Sequence, residues 1–265
     1  WQCPVRLTMF ADTILVLVPH PDDEIVGAAA AIMRARARGA RVLLANLTDG
    51  VPSRETLWPW RRKHHARLVA TRRAEAAEAA RLLGVERVFE QNLATRLLRH
   101  NLRTTLGALR DVVRAYAVDC VWVPAYEGGH QDHDTTNFLG ALLRALVPIW
   151  EFSEYHYANA RVHSQQFIHR NGTEQTLELD EQERALKRAL LRLYRSERGN
   201  LNYVQVQREQ FRPLPQYDYR LPPHQGRAFY QRFQWVPRHP RIDYTKPEEV
   251  CRTLDQFGTA LAKLA

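Results

Sequence analysis

Cysteine is scarce in this chain. Three residues, Cys3, Cys120 and Cys251, are far apart and odd in number, so they cannot build a disulfide framework. A reducing, cytoplasmic setting is the expectation that follows. Long apolar runs are lacking as well: Arg or Pro interrupts every one well short of the ~18 residues a membrane span needs. Glycine (12) and proline (14) are few and scattered, which excludes collagen-like and low-complexity organisation. No signal peptide is visible, and the chain starts at Trp1.

What remains is ordinary globular material, 265 residues with 45% hydrophobic and 25% charged side chains. That suits one domain with a large core, or one core with an appendage. Acidic residues are outnumbered 29 to 38, giving a net charge of +9. Part of the excess sits in Arg61-Arg62-Lys63-His64-His65, with Arg67, Arg72 and Arg73 close behind. Such a run favours anionic partners through counterion release. A solvated helix face is the plainer reading, so nucleic-acid binding is not expected.

Residues 13–19 are a continuous apolar run of strand length, the mark of a strand buried on both faces. An Ala-rich helix follows over 24–38, stopped by Gly39. The alternation continues with a strand at 41–47, a helix at 65–83, a strand at 87–89 and a helix at 102–116. A strand at 120–124 and a helix at 135–146 complete it. Strands alternating with helices at this spacing predict right-handed crossovers and a parallel sheet covered on both faces. Residues 150–157 and 165–168 read as further strands, and 180–194 as a helix. After about Gly199 the composition turns to Pro, Tyr, Gln and Arg. That tail reads as irregular structure wrapped over the core, ending in a helix near 248–264, with a substrate roof or a homo-oligomer contact as its other uses.

Two polar clusters lie just past strand ends. His20-Pro21-Asp22-Asp23-Glu24 follows the first strand, and Gly128-Gly129-His130-Gln131-Asp132-His133-Asp134 follows the fourth. Ligands of open parallel sheets bind at carboxyl strand ends where strand order reverses, which in the order 3-2-1-4-5 lies between strands one and four. The two clusters are therefore expected to share one crevice. Taken singly, each acidic residue there is only a favourable charge at a helix N-terminus. Together, so many carboxylates would repel one another without a cation, and imidazole with carboxylate suits a divalent transition metal such as zinc.

Pro-His-Pro-Asp-Asp-Glu after a buried strand, paired with His-x-Asp-His after a later one, resembles the PIG-L/LmbE-type zinc-dependent N-acetyl-amino-sugar deacetylases. Arg72-x-x-Glu75, and Lys187 leading to Tyr194-Arg195-Ser196, extend the likeness over roughly residues 12 to 197. The resemblance implies a Rossmann-like α/β domain over 1–198 and a C-terminal extension, 199–265, packed on it. It implies hydrolysis of an N-acetyl group on an amino sugar of the N-acetylglucosamine type, free or conjugated. By the same resemblance His20, Asp23 and His133 are Zn2+ ligands and Asp22 is the general base. His130, protonated, is the group that stabilises the oxyanion or protonates the departing amine. Arg72 meets the polar substrate, and Asp132 is a partner that fixes an imidazole tautomer. Gly128 stands where some thiol-pathway members carry Tyr, and Val51 where several carry an acidic residue. Sugar contacts are therefore expected elsewhere, with Trp58 and Trp60 as candidates for stacking or for a hydrophobic clip. Two other readings stay open: an amide hydrolase acting on a non-sugar N-acyl metabolite, and a basic nucleic-acid-binding protein with a vestigial site.

Overall fold

A computed structural model describes residues 8–240 and 242–263. The apolar run at the start forms β1 (Thr13–Val18), and α1 (Asp23–Ala37) leads from it to β2 (Arg41–Asn46). Then come α2 (His65–Leu83), β3 (Glu86–Glu90), α3 (Leu102–Ala115), β4 (Cys120–Pro124), α4 (Gln131–Leu143) and β5 (Ile149–Phe152). These five strands are parallel, in the order β3-β2-β1-β4-β5.

The continuous apolar character of β1 has its explanation in the two cores. Ile14, Val16 and Val18 face one cluster, with Ile25 of α1 and Ala76 of α2. Leu15 and Leu17 face the other, with Leu106 of α3 and Leu139 of α4. Alternate residues of a strand point to opposite faces, and here both faces are covered by helices. The sheet is thus an α/β arrangement with helices on both sides, as the alternation predicts.

Two differences from the sequence reading bear on the site. First, α4 begins at Gln131 rather than near Thr135, so Asp132, His133 and Asp134 lie in its first helical turn. Their lack of apolar spacing hides them from a periodicity argument. Carboxylates at the positive end of the helix dipole nevertheless favour that start, and the His130 side chain caps it by accepting the Asp132 N–H. Second, the stretch read as one strand over 150–157 is split. β5 ends at Phe152, and β6 (Tyr155–Ala158) pairs antiparallel with β7 (Arg161–Ser164) in a separate hairpin. Residues 165–168 are outside any strand.

The remaining strands, β8 (Gln175–Glu178) and β9 (Arg208–Pro213), extend the sheet antiparallel beyond β5. β9 comes from the Pro- and Arg-rich tail. Its sequence, REQFRP, has no strand-like alternation because it buries the charges of Glu209 and Arg212 beside a single aromatic, Phe211. Between β8 and β9 lies α5 (Glu181–Leu193), opened by an Asp180–Glu183 capping box, and the last helix is α6 (Pro247–Ala262). The end predicted for that helix, at Leu264, lies outside the described residues.

Lys187 of α5 explains part of this. Its Nζ donates to Glu209 Oε1 at 2.7 Å, and both side chains are fully buried. The Glu209 carboxylate also accepts the Ala30 and Ala31 backbone N–H groups of α1. Replacing Lys187 with Met would strand a buried carboxylate without its cation, a change expected to cost about 3–5 kcal/mol. Urea unfolding of K187M would measure it; a loss below about 0.5 kcal/mol, the range of an ordinary surface substitution, would show the pair to be dispensable.

Candidate metal centre

The parallel pairing of β1 with β4 brings their carboxyl ends together, and with them the two clusters separated by about a hundred residues of chain. His20 follows β1, Asp23 opens α1, and His133 lies in the first turn of α4. One ligand atom from each falls within 4.8 Å of the others. A second set of three, His20, His130 and Asp132, meets the same limit.

The two sets differ in how their atoms are already engaged. Asp132 Oδ2 already accepts the Arg96 N–H at 2.6 Å, the Thr95 hydroxyl at 2.8 Å and His20 Nε2 at 3.1 Å. His130 Nδ1 already accepts the Asp132 N–H at 3.0 Å. In the first set, by contrast, each imidazole presents one nitrogen to Asp23 and rests the other on a different buried carboxylate. His20 Nδ1 is 3.2 Å from Asp23 Oδ2 while its Nε2 meets Asp132. His133 Nε2 is 3.4 Å from Asp23 Oδ1 while its Nδ1 is 3.1 Å from Glu154 Oε2. Carboxylates behind ligating imidazoles fix the tautomer and raise ligand basicity.

The electrostatics ask for a cation. Burial disfavours charge on His20, but Asp23 and Asp132 outweigh it and raise the ring to about 10. Burial likewise works against an ionised Asp23, yet His133 and His20 hold it well below the usual carboxylate range. Glu154 is pushed well up, first by burial and then by Asp23 and Asp22, and neither of its oxygens has an aligned hydrogen-bond donor. A proton on His20 thus occupies the electrostatic position that a metal would take over, releasing the proton on binding. The residues present fit a divalent transition metal.

Asp22 sits beside these ligands in a backbone conformation that L-residues seldom adopt, φ 123° and ψ −25°. Strain of this kind persists only where the surroundings over-determine it. Here the Asp22 N–H donates to Glu24 Oε2, and Glu24 Oε1 is held by the Tyr194 hydroxyl at 2.7 Å. From the other side Arg72 Nη2 donates to Pro21 O at 2.6 Å, and both terminal nitrogens reach Asp22 Oδ2 at 3.3 Å. Burial raises the Asp22 carboxyl well above its ordinary range, and Arg72 opposes that rise. Gly50, at φ +70°, makes the approach of Arg72 possible: a Cβ there would lie 2.8 Å from Arg72 Nη2 and 3.0 Å from Pro21.

Arg72 is only 2% exposed, and its donors go to Pro21, Asp22 and Ser196. Ser196 is itself held by Glu75. The sequence pairs Arg72/Glu75 and Tyr194/Ser196 therefore converge on the backbone and carboxylate of Asp22. His130 stands with its ring centroid 4.5 Å from that of His20. Burial and the neighbouring His20 push its pKa well down, and Nδ1 accepts the Asp132 N–H, which leaves Nε2 as the ring's donor. The basic run at 61–64 is exposed and lies apart from these ligands.

Glu154 and Tyr155, at the turn between β5 and β6, are site residues without a clear sequence signal. The Tyr155 hydroxyl is 3.5 Å from His133 Nε2, on the side that faces Asp23. A cavity of about 520 Å³ opens over the cluster, with Tyr203, Phe229 and Arg232 of the tail in its wall. It adjoins a second of about 460 Å³ that shares Gly50, Arg72 and Ser196 with it. There Trp58 and Trp60 stack at 5.2 Å, nearly parallel, with Trp60 64% exposed. Among the described residues no helix is long and apolar enough to cross a membrane.

Residues 15–143 match the family model PIG-L, GlcNAc-PI de-N-acetylase. No curated protein matches the chain. Among solved structures, a deacetylase of the teicoplanin biosynthesis pathway aligns at 18% identity and TM-score 0.60, over 76% of this chain and 97% of its own. N,N'-diacetylchitobiose deacetylase from Pyrococcus horikoshii aligns at 21% identity and TM-score 0.55, over 80% and 85%. The 4-carboxy-2-hydroxymuconate hydratase from Pseudomonas putida KT2440 aligns at 19% and 0.53, over 78% and 98%. At such identities the likeness is one of fold.

Proposed function

Residues 15–143 are a PIG-L family domain, and from that premise we propose that the protein is a metal-dependent hydrolase removing an N-acetyl group from an amino sugar or its conjugate. The observation that carries the proposal is the convergence of His20, Asp23 and His133 with Asp22 beside them. Solved structures of similar fold include deacetylases acting on N,N'-diacetylchitobiose and in the teicoplanin pathway, which supports an amino-sugar amide as the bond cleaved.

An amide is a poor electrophile with a poor leaving group, so its hydrolysis needs an activated nucleophile, a stabilised oxyanion and a proton for nitrogen. A divalent metal held by His20, Asp23 and His133, zinc by preference, would lower the pKa of water from 15.7 towards ~7 and polarise the carbonyl. Asp22 takes the proton from the attacking water and returns it to the amine nitrogen as the C–N bond breaks. Its strained backbone and its Arg72 contact hold one carboxylate oxygen in place, while burial raises its basicity. His130, whose Nδ1 is engaged by the Asp132 N–H, keeps its Nε2–H as a donor for the oxygen that gains charge. The Tyr155 hydroxyl is a further donor on the same side. Asp132 keeps His20 in one tautomer, so that Nδ1 stays free for the ion.

The decisive experiment is acetate release by metal-loaded protein from N-acetylglucosamine glycosides, with N-acetyl amino acids beside them. Release from the sugars, lost on chelation and restored by zinc or another divalent ion, is the expected result. Release confined to the non-sugar amides would move the assignment to a different acyl compound. The hydratase of similar fold makes a third outcome concrete: metal-dependent turnover with no amide cleaved would refute a deacetylase.

A further inference from the structure

We propose that the cavity over the metal ligands contains an oxyanion-binding subsite centred on Arg232, so that the amino sugar bears a phosphate or carboxylate. This rests on the deacetylase reading for its substrate, but the subsite stands on its own observations. Arg232 lines the same cavity as His20, Asp22 and Tyr155, yet comes from the tail, not from a strand end. It is half-buried, with its guanidinium carbon 3.3 Å from the Phe229 ring centroid and 5.2 Å from that of Phe233. Its Nε donates to Phe229 O at 3.0 Å.

That arrangement spends one donor and, among the described residues, offers the terminal nitrogens no acceptor. Among the described residues no carboxylate stands within ion-pair reach, and the polar groups facing it are the phenols of Tyr155, Tyr157 and Tyr203. Arg72 and Arg96, the other guanidinium groups of this cavity, are used differently. Arg72 is committed to Pro21 and Asp22, and Arg96 donates to Pro240 O and Ile242 O. A cation at a cavity wall without a counter-charge is open to an anionic ligand. A planar fork pinned flat on an aromatic ring presents its edge to a two-oxygen acceptor, the geometry that carboxylate and phosphate share. The cavity would then hold its substrate at two poles, the amide at the metal ligands and the oxyanion at the tail.

The test compares hydrolysis of N-acetylglucosamine 1-phosphate, an N-acetylated amino uronic acid and the neutral methyl glycoside by the metal-loaded full chain and by R232M. Met keeps an unbranched apolar stem over Phe229 and removes the charge. The expected result is a preference of about 10- to 100-fold in kcat/KM for an anionic sugar, the scale of a charged hydrogen bond. In R232M that ratio falls towards one, mostly through KM. Whichever acid is preferred identifies the source of the oxyanion. No preference in the parent protein, or a preference that survives in R232M, overturns the subsite while leaving the deacetylase reading intact. If none of the three sugars releases acetate, the deacetylase reading fails instead. Calorimetric binding of N-acetylglucosamine 1-phosphate then decides the subsite: tight binding that R232M weakens about 10-fold or more supports it, and absent or unchanged binding rejects it.

Discussion

Replacing His133 with alanine is expected to empty the metal centre and abolish hydrolysis. The imidazole is 2% exposed and lies between Asp23 and Glu154, so its removal leaves a gap in the ligand set. Loss of an outer-shell partner alone typically weakens a metal site 10–100-fold, and loss of a direct ligand should exceed about 100-fold. The same holds for His20→Ala, which in addition releases Asp132 from its ring. Metal content after dialysis, measured by mass spectrometry beside the parent protein, checks both variants. A full equivalent of metal retained in H133A and H20A would place the ion elsewhere, the His130–Asp132 set being the alternative. Asp132 Oδ1, buried without a hydrogen-bond partner among the described residues, is the atom such a set would offer.

Asp22→Asn should separate metal binding from turnover. Asn keeps the volume of the side chain, still accepts from Arg72 through one oxygen, and tolerates positive φ better than most residues. The local backbone at φ 123° is therefore expected to survive the exchange. What disappears is the capacity to take a proton. General-base contributions run to roughly 10²–10⁴-fold, and kcat should fall on that scale with metal content unchanged. Full activity in D22N would remove Asp22 from the role of base. A loss of metal together with activity would instead make it part of the ligand set.

Much of this site is legible in the chain itself. His20, Asp22 and Asp23 follow an apolar run whose length and composition demand a buried strand, and His130, Asp132 and His133 follow another. Since parallel strands place their carboxyl ends on one edge, the meeting of the two clusters follows from topology. The legible part ends where side chains compete with one another. Arg72 is conspicuous as a cation, and a substrate contact is the natural expectation for it. Its burial against Asp22 depends on Gly50 and on the turn after β2, which no pattern in the 50s reveals. Glu154 is missed because the split between β5 and β6 aims it at His133, whereas an unbroken strand would have alternated it differently. β9 is missed because its burial runs through Glu209 and Arg212, whose partners Lys187 and Glu151 lie more than twenty residues away.

Hydrophobic periodicity and strand-end position thus determined the α/β layers, the crevice and the kinds of ligand atom within it. These properties arise from backbone geometry repeating every two or 3.6 residues, and a linear text records such repeats. Tertiary structure decided which nitrogen of each imidazole faces Asp23, which nitrogen of His130 is engaged by the helix it caps, how Asp22 is held in its strained turn, and that Arg232 of the tail reaches the cavity. Those outcomes depend on distances of about three ångströms between residues tens to hundreds of positions apart, and on the energy of burying charge among them. Only the folded chain sets both.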